Sequence, residues 1–314
     1  MRDSRLNGTE RTVQPRFSLV ASLCLILLPF FVIAAADRLH RLPDRIELPD
    51  RVVPVRFEPI HVKGTAGAWA VEADDPRFGG VSAVVLRRGR LLALTDSGVI
   101  LDLPKPGHGS TARLHDLPDG PGPAIHKRAR DSEALVSGPA GDWLVTFENR
   151  HSLWRFDPGF TRATGRTDLS GMGWPVNKGA EAMVALPSGA LLLIPEVSRQ
   201  VIRINQRGLG VARLEGVSGG IADATMLPDG RVLVLVREVG PLGIRNRIAM
   251  LVRAGQDYRL RPVRTVETGP LINLEAITAE PLPSGATRLW LMSDNDFSTW
   301  RRTILLAIDL PKEP

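Results

Sequence analysis

Residues 179–196, GAEAMVALPSGALLLIPE, decide the fold. An acid and a small residue, Glu181 and Ala182, open a short apolar run, Leu186-Pro187-Ser188-Gly189 breaks it, and a second apolar run ends at Glu196. Two short apolar runs divided by a Pro/Gly turn predict a β-hairpin. The same pattern recurs in residues 79–98 (GGVSAVVLRRGRLLALTDSG), 131–151 (DSEALVSGPAGDWLVTFENRH), 220–238 (GIADATMLPDGRVLVLVRE) and 273–296 (NLEAITAEPLPSGATRLWLMSDND).

Aligned, the five stretches share a leading position (Ser82, Glu133, Glu181, Asp223, Glu275), an alanine directly after it, and a terminal acid (Asp96, Glu148, Glu196, Glu238, Asp294). Leading and terminal positions lie 14, 15, 15, 15 and 19 residues apart, and successive leading positions 51, 48, 42 and 52 apart. A repeat of that length is one four-stranded blade, because each hairpin is followed by two more strand-like runs such as SLWRFD (152–157) and ATGRTDL (163–169). The expected fold is an all-β β-propeller with five blades; six would follow if residues 99–130 held a degenerate one. The last blade shows only TILLAIDL (303–310) as a third strand, so RVVPVRFEPIHV (51–62) is expected to supply the fourth and close the ring.

Composition agrees with this reading. The 314 residues are 43% hydrophobic but only 5% aromatic, with 30 Gly and 25 Pro, which suits many short strands and turns. Arg2, Arg5, Arg11 and Arg16 precede a charge-free apolar run, Phe17 to Ala36, that ends in three alanines before Asp37. Residues 1–36 therefore read as an export signal, either cleaved or, at about 20 apolar residues, kept as a membrane anchor. Residues 37–50 read as a linker and residues 51–314 as the propeller domain. The expected location is periplasmic or secreted, with membrane contact only through the N-terminal segment. Cys24, the single cysteine, falls inside that segment behind Leu23, which does not suit lipidation, so the remainder has neither a disulfide nor a thiolate metal site. The net charge of +6 comes from dispersed arginines; only His126-Lys127-Arg128-Ala129-Arg130 is dense, and it reads as a solvated loop, not a nucleic-acid stripe. A closed propeller needs no partner, so a monomer is expected.

The start of a blade's first strand and the end of its antiparallel second strand share one end, so all ten marked positions converge on one face. Carboxylates crowded at a channel mouth must take up protons or bind cations. Calcium, which accepts six to eight oxygen ligands in flexible geometry, is the expected cofactor; zinc is not, because no His or Cys occupies a ring position. Gly216-Val217-Ser218-Gly219-Gly220 matches G-x-S-x-G, but it precedes a strand where a nucleophile elbow needs a helix, and reads as a connector.

At Asn177-Lys178-Gly179-Ala180-Glu181-Ala182, Phe147-Glu148-Asn149-Arg150-His151, Asn273-Leu274-Glu275-Ala276, Ser293-Asp294-Asn295-Asp296-Phe297-Ser298 and Arg302-Thr303-Ile304-Leu305-Leu306 the chain resembles the family called esterase-like activity of phytase. The resemblance spans roughly residues 50–312 and implies a propeller with phosphoesterase or carboxylesterase activity; Ser82 departs from its acidic pattern. Calcium held by Glu133, Glu181, Asp223, Glu275 and Asp294, with Asp96 and Glu238 completing the acidic set, would then bind an anionic or ester substrate. Arg150, Lys178, Arg237 and Arg302 are candidates to orient that substrate, Glu148 or Glu196 to activate water, and His151 to act as general acid. Two alternatives stay open: a calcium-bound lactonase-like hydrolase, and a non-catalytic ligand- or protein-binding propeller of the envelope.

Overall fold

The computed structural model describes residues 48–138 and 140–311. Residues 1–36, read above as an export signal, and with them Cys24, lie outside the described residues. Two strands come first, β1 (Arg51–Pro59) and β2 (Gly67–Ala73). Next come β3 (Val81–Arg87), β4 (Arg90–Thr95), β5 (Val99–Leu103) and β6 (Thr111–Asp116), then β7 (Ser132–Ser137), β8 (Trp143–Phe147), β9 (Ser152–Phe156) and β10 (Ala163–Asp168). A third group holds β11 (Ala180–Ala185), β12 (Leu191–Pro195), β13 (Gln200–Asn205) and β14 (Gly208–Glu215), and a fourth β15 (Gly220–Met226), β16 (Val232–Gly240), β17 (Gly243–Ala254) and β18 (Asp257–Val266). The chain ends with β19 (Asn273–Pro281), β20 (Thr287–Asp294) and β21 (Thr303–Leu310).

Each group pairs antiparallel in chain order, giving units I (β3–β6), II (β7–β10), III (β11–β14) and IV (β15–β18). In unit V the order is β19-β20-β21-β2, so Gly67–Ala73 is the fourth strand, registered Gly67↔Ala307 through Val71↔Thr303. The strand-like run at 51–62 instead yields β1, which lies one position further out and joins β2 to β6 of unit I. Both runs alternate suitably; β2 takes the inner place because Ala68, Ala70 and Val71 are small and fully covered, whereas β1 buries only Val53 and Val55. Residues 99–130, where a degenerate unit was conceivable, hold the outer strands β5 and β6 of unit I and the connection to β7.

The hairpin turns explain the repeat. Leu186-Pro187-Ser188-Gly189, Leu227-Pro228-Asp229-Gly230 and Leu282-Pro283-Ser284-Gly285 each close with the glycine N–H donating to the leucine carbonyl at 2.9 Å. Proline presets the second position of such a turn, and the glycines stand at φ of 77°, 87° and 81°, where a side chain is disfavoured.

The first strands touch in the cyclic order β3, β7, β11, β15, β19 and back to β3. The five buried apolar clusters fall one between each pair of neighbouring units. Leu92 and Leu94 of β4 pack on unit II, whereas Leu91 and Ala93 pack on unit V. Likewise Leu192 and Ile194 face unit IV, and Leu191 and Leu193 face unit II. Inner sheets buried on both faces need continuous apolar runs, which is why LLALT and LLLIP do not alternate with polar residues.

Candidate functional site

Every first strand carries a β-bulge near its start. In unit III, Ala180 pairs with Pro195 and Ala182 with Ile194, leaving Glu181 as the extra residue. Ser82 and Glu275 are the extra residues of units I and V, and in unit II Glu133 and Ala134 both fall within the gap between the Ser132↔Phe147 and Leu135↔Val145 pairs. A bulge re-aims the side chain it carries, so the fold takes one position per unit out of the ladder at the same end. Asp96, Glu148 and Glu196, each the residue after a second strand, and Asp294, the last residue of β20, come to that end as well.

Unit IV is offset by one residue. Ile221 pairs with Val236 and Asp223 with Leu235, so the extra residue is Ala222 and the position matching the terminal acids is Arg237. Because side chains alternate along a strand, a slip of one residue exchanges faces. Asp223 accordingly turns into the β15–β19 contact, 3% exposed, where it accepts hydrogen bonds from the backbone N–H groups of Ile277 (2.8 Å) and Ala224 (2.7 Å). Burial pushes its carboxyl well above the ordinary value, against the pull of those two bonds. Glu238 leaves the mouth and takes Arg247 at 3.1 Å and the Ser218 hydroxyl at 2.5 Å. Neither Asp223 nor Glu238 is thus brought together with the remaining acids, and Ser218, committed to Glu238 ahead of a strand, stands as a connector residue.

Arg237 fills the gap as a cation. Its guanidinium holds Glu196 at 2.9 Å, Asn273 at 3.2 Å and, more closely, Glu275, so it ties unit III to unit V across unit IV. Lys178 meets the other oxygen of Glu196 at 2.5 Å. Opposite, Lys127 lies 2.7 Å from Asp96 and 3.5 Å from Asp131. The 126–130 stretch is therefore not a freely solvated loop: Lys127 reaches into the mouth, and Arg130, 6% exposed, donates to the carbonyls of Gly122 and Leu117. Buried acids draw these cations inward.

The tightest group of acids is Asp131, Glu133 and Glu148, each with a carboxylate oxygen within 4.8 Å of the others. Gly179 N–H donates to Glu148 at 3.1 Å and the Asn149 amide to Asp131 at 2.7 Å, which fixes two of the three. Burial, reinforced by Asp131, raises Glu148 to about 7 against the Gly179 hydrogen bond. Burial likewise lifts Asp96 to about 6, with Lys127 opposing and Asp131 adding. Burial pushes Glu133, Glu181 and Asp294 well above the usual range, reinforced at Glu133 by Glu181 and Asp131, at Glu181 by Glu148 and Glu196, and at Asp294 by Asp296 and Asp96. Lys127 shows the converse: burial alone would lower it, but Asp96 and Asp131 raise it. Such a site stores negative charge that protons or a hard cation must balance.

Of the remaining candidates, Ser82 bridges units I and II, donating to the Ser132 carbonyl at 2.7 Å. His151 is 8% exposed, bonded through Nε2 to the Pro175 carbonyl at 3.1 Å and edge-on to Trp174. Arg150 is exposed and donates to Pro121 O at 2.6 Å, while Arg302 pairs with Glu58 and Glu72 on β1 and β2, outside the mouth. Asp296, hydrogen-bonded through its N–H to Asp294 and paired with Arg301, joins the mouth. Asp131 and Lys127 are the residues that sequence reasoning passed over; the signal for Asp131 was an acid two positions before Glu133.

An all-β protein with paired acids at the bulged ends of repeated hairpins is the class these features define. The chain belongs to the Phytase-like family, described as esterase-like activity of phytase, which matches residues 76–297. No curated protein sequence matches it. Among solved structures it is similar to the PQQ-bound form of an aldose sugar dehydrogenase from Streptomyces coelicolor, at 11% identity and a TM-score of 0.47, over 82% of this chain and 98% of that one. It is similar also to a gluconolactonase from Xanthomonas campestris (14% identity, TM-score 0.46, 85% and 90% covered) and to the glutaminyl cyclase of Myxococcus xanthus (14%, 0.45, 85% and 100%). No residue of the mouth is assigned a role from these three.

Proposed function

We propose that the five units are the blades of a closed five-bladed β-propeller, and that its acidic mouth hydrolyses ester bonds with the help of a bound calcium ion. The observation that carries the reading is the Asp131–Glu133–Glu148 cluster: oxygens within 4.8 Å of one another match ligands at opposite or adjacent positions around an ion with calcium–oxygen distances of about 2.4 Å. Membership of a family described by esterase-like activity supports the reaction class.

Asp131, Glu133 and Glu148 would hold the ion. When bound, it polarises the carbonyl or phosphoryl oxygen of the ester and offsets the charge of the cluster. Glu181 and Glu196 line the mouth beside it and are the groups left to take a proton from the attacking water. The water oxygen bonds to the carbonyl carbon or phosphorus, the ester C–O or P–O bond breaks, and the proton passes from the carboxylate to the departing alkoxide. Lys178, whose side chain is 42% exposed, can reach an anionic part of the substrate; Arg237 is engaged by Glu196 and Glu275 and keeps Glu196 in place.

The test is hydrolysis of p-nitrophenyl acetate and p-nitrophenyl phosphate by the full chain, with calcium and with a chelator. The expected result is turnover of at least one ester that chelation abolishes, calcium restores, and Glu133→Gln lowers by about 100-fold or more, at least the upper end of what loss of a ligand's hydrogen-bond partner costs. Turnover indifferent to both chelator and substitution would refute the metal reading; tight ligand binding without turnover would support a binding protein instead.

A further inference from the structure

Exposed apolar side chains are concentrated on the connections around the mouth. Val239 (75% exposed) and Leu242 (92%) flank the tip of the β16–β17 hairpin, and Leu271 (57%) sits beside them on the segment held by the Ile244 N–H to Pro270 O bond. Trp300 (46%) lies on the β20–β21 connection, Val176 on the one before β11, Val197 directly after Glu196, and Ile125 on the one that carries Lys127. Strand direction places all of these connections at the mouth end. Among the described residues the only other exposed large apolar side chains, Val52, Leu209, Val211 and Val263, lie on outer strands. Arg128, Arg150 and Arg199 are exposed on the same mouth-end connections; the carboxylates of the site are buried or half-buried, whereas Asp74, Asp168 and Glu267 are exposed at the outer strand ends of this face.

The chain also comes in at this face. Arg77, 2% exposed and held by Asp75 and Asp116, donates to the carbonyls of Leu48 (3.1 Å) and Pro49 (3.2 Å). Asp75 follows the end of β2 and Asp116 ends β6, both at the mouth. Upstream, the 20 charge-free residues 17–36 match the length that spans a bilayer, and the eleven residues 37–47 reach at most about 40 Å. Apolar tips interleaved with arginines, on the face from which such a segment departs, fit the boundary of an anionic bilayer, where apolar groups enter the acyl region and arginines meet phosphate.

We infer that the mouth face lies against an anionic lipid bilayer and that its substrate is an ester borne by that membrane. The substrate clause rests on the hydrolase reading above; the docking clause does not. Full-length protein reconstituted in phosphatidylglycerol/phosphatidylcholine vesicles containing lipids brominated on the acyl chains tests both. Bromolipid is expected to quench part of the tryptophan emission, and that part is expected to vanish in Trp300→Phe. Val239→Asp with Leu242→Asp is expected to lower hydrolysis of a vesicle-borne p-nitrophenyl acyl ester at least tenfold relative to that of soluble p-nitrophenyl acetate. Failure to associate with the vesicles, or quenching equal in wild type and Trp300→Phe, overturns the docking. An unchanged ratio of the two rates overturns the substrate assignment while leaving calcium-dependent hydrolysis intact. Quenching through Trp300 with no hydrolysis of either ester keeps the docking and removes the hydrolase.

Discussion

Raising the pH in the presence of a chelator should destabilise this protein, because its mouth binds protons more tightly folded than unfolded. Asp96 moves from 3.8 to about 6 on folding and Glu148 from 4.5 to about 7. Between about pH 4 and 7 the folded chain therefore carries more protons than the unfolded one, so unfolding becomes easier as pH rises. The stability is fully present below the unfolded values and is lost as pH passes through 6 and 7. At 1.36 kcal/mol per pH unit the shift of Asp96 corresponds to about 3 kcal/mol, and that of Glu148 to about 2 after allowance for its partly solvated surroundings. For a domain of this size about 3 kcal/mol moves the unfolding midpoint by roughly 6–12 °C. The assay is thermal unfolding of the full chain in detergent, in steps from about pH 5 to about pH 8, with a chelator and with excess calcium. Calcium at about 100 times its Kd adds about 2.7 kcal/mol and should flatten the curve at the alkaline end. Glu148→Gln should flatten the chelated curve without calcium. A chelated midpoint that is constant or rises from pH 5 to 8 would refute the reasoning, since it would mean that the cations already present balance the acids.

Arg237→Met should cost about 3 kcal/mol, because it leaves Glu196 and Glu275 without their shared partner; a midpoint unmoved by the substitution would show Arg237 to be free for substrate. Asp223→Ala should cost about 1–3 kcal/mol in denaturant unfolding by orphaning the buried Ile277 N–H, yet keep the full calcium shift; loss of that shift would return Asp223 to the metal ligands.

The sequence made the inner hairpins legible because each inner sheet is covered on both sides. Leu191 to Ile194 had to be apolar at every position, and Leu-Pro-x-Gly had to close the turn behind them. Outer strands carry a weaker signal: β10 leaves five of its six residues exposed, so ATGRTD reads as strand only by its place in the repeat. The choice between Arg51–Pro59 and Gly67–Ala73 for the last place in unit V was hidden, since it depends on which of the two fits against β21 and which against β6. The site was legible as a ring of acids but not in its membership. Asp223–Ala224 and Glu238 imitate the pattern of the other units at the correct spacing, and only the bulge at Ala222 shows that Arg237 occupies the acidic position. Lys127 and Asp296 come from connections, whose path is set by the acids they meet and not by local periodicity.

The pairing of Gly67–Ala73 with Thr303–Leu310 also imposes an order in time. During synthesis the β1–β2 hairpin emerges before its partner and must wait, one edge of β2 unpaired, until β3 to β21 have followed. Its partner, β21, lies more than 200 residues further along, so the last apolar interfaces can form only after β21 has emerged. An open strand edge held that long is a template for pairing with another chain. The interval before β2 and β21 pair, more than the folded state, is where this protein is exposed to misassembly.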